Sequence, residues 1–136
     1  MSKKLKVIFW AAALATVAST LANAGETVVV MSPAAAALTK DQVANIYLGR
    51  STDLKPLDLP EGNAAREAFY KKATDRDPAQ VKAVWSRIVF TGQGQPPKEV
   101  ADSAAVKKAV AADPKTVGYI DKADVDGSVK VVLSLN

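Results

Sequence analysis

Apolar positions recur along this chain in two rhythms, and each rhythm predicts a different element. The run ETVVVM at 26–31 is short and β-branched, and Ser32-Pro33 closes it, which predicts a buried strand. In ALTKDQVANIYLG at 37–49 the spacing becomes helical. Thr39 with Gln42 forms a capping-box pattern, Val43, Ile46 and Tyr47 share one face, and Gly49 stands where a helix ends. A short strand follows at 55–59, weakened by Pro56 and so expected at an edge or as a short piece. Pro60 and Gly62 turn the chain into a helix over 64–72, with Ala65, Ala68 and Phe69 facing inward. Asp77-Pro78 opens the strongest helix. Its Val81, Val84, Trp85, Ile88 and Val89 follow i, i+3, i+4, i+7, i+8, a wide core-facing stripe. TGQGQPPKEV at 91–100 breaks that helix. Another begins at Ser103, turns Val106, Ala109 and Val110 inward, and ends at Asp113-Pro114. TVGYI at 116–120 and VKVVLSL at 129–135 read as strands, with DKADVDG as the turn between them. The order β-α-β-α-α-α-β-β predicts an α/β fold: a mostly parallel sheet flanked by helices.

The first 24 residues stand outside that pattern. MSKKLK is positively charged, an apolar run follows, and Ala22 to Ala24 end it with a small-x-small site, as in a cleavable secretory signal. The run is short for a membrane span, so cleavage after Ala24 is expected over an uncleaved anchor. The domains are then a signal peptide at 1–24 and one α/β domain at 25–136. Cleavage removes Lys3, Lys4 and Lys6. The 18 basic residues become 15 against 14 acidic ones, and the net charge falls from +4 to +1. The mature chain keeps basic pairs only at 71–72 and 107–108, which is no footprint for nucleic acid.

The chain has no cysteine and no histidine. Disulfides, thiol chemistry, the commonest general base and the commonest metal ligand are therefore absent, and no catalytic residue, metal site or cofactor is assigned. A carboxylate pair such as Asp58 and Glu61 could in principle do acid–base work, which leaves a hydrolase as the remote alternative, but nothing in the sequence shows either to be buried or paired. GQG at 92–94 lacks the remaining features of a nucleotide loop, and Asp121, Asp124 and Asp126 lack calcium-loop spacing. Trp85 and Tyr70 read as core or core-edge residues.

LDLPEGNAAREAFYKK at 57–72 is the one stretch that reads as a site. A strand leads into Gly62, which can take a positive φ, and Asn63 can cap the next helix. Free N–H groups of Ala64, Ala65 and Arg66 at a positive dipole end, with the Arg66 guanidinium beside them, make an anion cradle. The alternative is a plain capped helix whose Arg66 is solvated or paired with Glu61 or Glu67.

LTKDQVANIYLGR at 38–50, VWSRIVFTGQGQPP at 84–97 and VKKAVAADPKTVGYID at 106–121 together resemble the phosphate-binding periplasmic proteins of ABC transporters. The likeness runs over nearly all of 27–133. It implies one lobe of a class II periplasmic binding protein, periplasmic, non-enzymatic and serving transport, with an ABC permease or another envelope protein as partner. It also places the anion loop at Gly62, Asn63, Ala64, Ala65 and Arg66. Leu59 stands where that family has an arginine, while Asn63, Ala64 and Ala65 replace its serine, glycine and threonine. The backbone device is kept and most side-chain donors are lost. A single lobe also leaves an anion open to water, where each charged contact is worth less. Weak binding of phosphate or a similar oxyanion is expected, or a homodimer that covers the site. The alternative is an envelope protein-interaction module that no longer takes a solute.

Overall fold

The computed structural model describes residues 26–135. The signal peptide expected at 1–24 lies outside the described residues. The strands are β1 (Thr27–Met31), β2 (Lys55–Asp58), β3 (Lys98–Glu99), β4 (Thr116–Asp121) and β5 (Lys130–Leu135). The helices are α1 (Lys40–Tyr47), α2 (Ala64–Thr74), α3 (Pro78–Phe90) and α4 (Ser103–Ala112), with a 3-10 turn at Lys122–Asp124. Local chemistry sets the helix starts. Thr39 and Asp77 each form a capping box, with Gln42 and Gln80, and Pro78 occupies the first turn of α3. Asn63 caps α2 and Asp102 caps α4.

The five strands form one sheet in the order β3-β2-β4-β1-β5. β2 is parallel to β3 and to β4, and β1 is antiparallel to both β4 and β5. Four strands therefore run one way, as a mostly parallel sheet requires, and β1 alone is inserted against them. β1 is buried along its whole length, which is why its five residues can be almost continuously apolar.

β2 takes the second of its two expected forms: it is a short piece, and it lies inside the sheet, between β3 and β4. Lys55 N–H donates to Lys115 O on the β4 side at 2.8 Å, so strand alternation turns Pro56 toward the β3 side. There β3 pairs only with Leu57 and Asp58, so the N–H that proline lacks is not missed. β3 itself was expected to be part of a loop. Pro96 and Pro97 hold the chain extended before it, and Val100 N–H closes the ladder on Asp58 O at 2.9 Å.

The core is aromatic at its centre. Phe69 of α2 stacks on Tyr119 of β4 with ring centroids 4.0 Å apart, and Tyr47 of α1 meets Phe69 edge-on at 4.6 Å. Val43, Ile46 and Tyr47 are buried as expected, as are Val106 and Val110. The stripe of α3 is only half covered. Val81 and Trp85 are buried, whereas Val89 is 49% and Phe90 91% exposed. Trp85 and Ile88 rest on Gly49 at the end of α1. Phe90 lies outside the stripe, and Val89, at its end, is left half exposed.

Candidate functional site

At the carboxyl end of β2, Asp58 is a carboxylate in a strand between two buried leucines, and only 4% of it is exposed. Its oxygens accept from Leu59 N–H at 2.9 Å, from Tyr70 Oη at 2.6 Å and from Tyr119 Oη. Arg66 Nε lies 3.7 Å away. The cluster thus ties β2, α2 and β4 together. Burial pushes the Asp58 carboxyl above its ordinary value, and the hydrogen bonds from Tyr119 and Tyr70, with the Arg66 charge, only partly offset it. Both tyrosine hydroxyls are pushed far up, first by burial and then by the Asp58 charge, so they stay protonated and donate.

Arg66 sits one turn into α2, and its side chain is 13% exposed. It donates from Nη1 to Leu59 O at 2.8 Å and to Glu99 Oε2 at 3.3 Å. Burial alone would lower its pKa; Asp58 first, and Glu99 among others, more than reverse that. Its partners are therefore Asp58 and Glu99, not the Glu61 or Glu67 that proximity along the chain suggested. Ion-paired in this way, the guanidinium still leaves its buried Nε without a hydrogen-bond partner.

The five residues expected to cradle an anion do lie together at one helix start. Gly62 has φ +87°, the left-handed conformation that the turn demands. Of the three N–H groups expected to be free, those of Ala65 and Arg66 are engaged within the chain. Ala65 N–H donates to the Asn63 cap at 2.8 Å, Arg66 N–H to Asn63 O at 3.1 Å, and Asn63 N–H to Pro60 O at 3.1 Å. The Asn63 side chain engages one of these donors, and a cap and an anion compete for such groups.

Beside this corner an open cleft of 740 Å³ runs between α2, α3 and the β2–β3 edge. Val81, Trp85, Val89, Phe90, Pro96 and Pro97 form its apolar side. Its charged lining is Asp58, Glu61 and Glu99 against Arg66 and Lys82, an acidic excess that does not favour an anion. Glu61 pairs with Lys82 at 3.4 Å.

Sequence reasoning named Asp58 without seeing its burial, and it missed Phe90. Asp58 carried a signal, since a lone acid between strand leucines must find donors when buried. Phe90 carried one too: it stands off the i+7, i+8 stripe, next to a glycine turn, where nothing in its own helix covers it.

No protein-family model matches the chain, and no curated protein matches it in sequence. Its fold does match solved structures. One is an ABC-type phosphate transport receptor from Vibrio cholerae, at a TM-score of 0.60 and 20% identity over 78% of this chain and 44% of that one. Another, described as a phosphate ABC transporter substrate-binding protein with bound phosphate, from Clostridium perfringens, superposes at a TM-score of 0.61 and 20% identity, over 78% and 43%. The chain therefore spans less than half the length of these proteins. Its mixed five-stranded sheet with flanking helices is the α/β fold of one lobe of a phosphate ABC transporter substrate-binding protein.

Proposed function

We propose that the chain is a non-enzymatic periplasmic binding domain, exported by its first 24 residues, whose cleft takes an apolar protein surface and no longer a free oxyanion. The observation that carries this reading is the state of Arg66. The one guanidinium near the helix start is buried between Asp58 and Glu99, while Val89 and Phe90 stand exposed beside it. Exposed apolar side chains that rim a concave apolar surface are a feature of interaction sites. An envelope protein fits the expected location.

Oxyanion binding at Gly62, Asn63, Ala64, Ala65 and Arg66 is the second reading. It is favoured by the positive-φ turn at Gly62 and by the Clostridium perfringens neighbour, which was solved with bound phosphate. An ABC permease is the partner that goes with it. Titration calorimetry of the purified protein with phosphate and with sulfate separates the two. The first reading expects no heat at millimolar ligand from folded protein. Saturable heat overturns it and leaves the second. An apolar dye such as bis-ANS should bind the folded wild type and lose that binding in Phe90→Ser.

A further inference from the structure

The face around the cleft carries both halves of a contact. Phe90, 91% exposed, projects at its rim, and beside it lies a hollow floored by Val81 and Trp85. A cavity of roughly 150 Å³ already accepts a benzene ring. At 740 Å³ the cleft has room for a phenyl side chain and the residues that flank it. A knob and a hole on the same patch meet the requirement of a two-fold contact, in which one surface must complement itself.

The charges on this face are arranged in the same sense. Glu61 is paired with Lys82 at 3.4 Å and Arg66 with Glu99 at 3.3 Å, each within one copy. The remaining acid of the lining, Asp58, is buried beside Arg66, so the exposed rims of two such faces can meet without setting unpaired like charges against each other, the usual bar to self-association through a charged rim. Among the described residues, Val89 and Phe90 are the large hydrophobic side chains left exposed, and both stand here.

We infer that the partner of this cleft is a second copy of the same chain, docked about a two-fold axis with Phe90 of each copy seated in the cleft of the other. This rests on the reading of the cleft as a protein-docking site. Each copy then completes the other's apolar pocket, and Trp85 becomes enclosed in both.

Sedimentation velocity of the purified protein, from micromolar to millimolar concentration, tests the inference. Wild type should sediment as a concentration-dependent dimer. Phe90→Ser lies outside the core, so it should fold normally. Because the ring is lost twice per dimer, it should weaken association by about 10²- to 10⁴-fold. A dimer that Phe90→Ser leaves intact overturns the inference, because the contact then lies on another face. A wild type that stays monomeric throughout overturns it as well. If that monomer still binds bis-ANS, and Phe90→Ser abolishes the binding, the docking reading stands with a different partner. If the monomer binds no dye, both fall.

Discussion

Asp58 illustrates what a buried charge demands of its neighbours. With 4% of the residue exposed, each oxygen needs a donor, and the chain supplies Leu59 N–H, Tyr70 and Tyr119 from three different elements. Burial still outweighs these donors and raises its pKa from the ordinary 3.8. The sign of the pH effect follows. The folded chain holds this proton more tightly than the unfolded chain. The contribution to stability is therefore full below 3.8 and is lost as pH rises through the higher folded value. Asp113 and Asp126 act in the opposite sense. Their carboxylates are held below the ordinary value, by the backbone N–H of Lys115 in one case and the Ser128 hydroxyl in the other, so they lose stability as pH falls. A carbon-detected NMR titration of the carboxyl groups checks this. Asp58 should titrate above 3.8 and the other two below it. Asp58 titrating at or below that value would show that its donors prevail over its burial. The tyrosine partners were not legible in the sequence, because they lie 12 and 61 residues away along the chain.

At the scale of elements, helix starts were the most legible features, since a cap and its partner are three residues apart. How closely a helix approaches the sheet was not. α4 rests directly on β4 because Gly118 has no side chain: a Cβ there would come within 2.5 Å of Val106 Cγ1. Valine is β-branched and stiff, so the helix itself would have to move away. Gly118→Ala is expected to cost about 1–3 kcal/mol, the range for overpacking. Gly127→Ala, with nothing within 4 Å, should stay within about 0.5 kcal/mol of wild type. Urea midpoints compare the two; equal midpoints would mean that α4 is not in close contact with β4. The last turn of α3 is the complementary case. Its periodicity promised a full core-facing stripe, but periodicity tells how wide an apolar face is, not how much floor lies beneath it. Val89 ends the stripe half exposed, and Phe90 stands off it altogether.

At the scale of the whole molecule, the charge balance depends on processing. If the chain is cut after Ala24 as expected, loss of three lysines takes the net charge from +4 to +1, and the remaining domain would have little long-range field with which to collect anions. Intact-mass analysis of protein recovered from the envelope should find a chain beginning at Gly25. A full-length mass there would place an anchor where a signal peptide is expected. Near-neutrality also lowers the barrier to self-association, in keeping with a docking face whose charges are paired within each copy.

The sequence by itself determined the α/β class, the strand and helix order apart from β3, the caps Thr39, Asn63 and Asp77, the left-handed turn at Gly62 and the charge balance. All of these depend on neighbours a few residues apart or on composition. Only the tertiary structure decided that Pro56 sits inside a sheet, that Arg66 turns inward to Asp58 and Glu99, and that Phe90 stands at the rim of a cleft. The physical reason is range. Burial and ion pairing depend on which segments of the folded chain meet, and Arg66 and Glu99, 33 residues apart, share no local pattern.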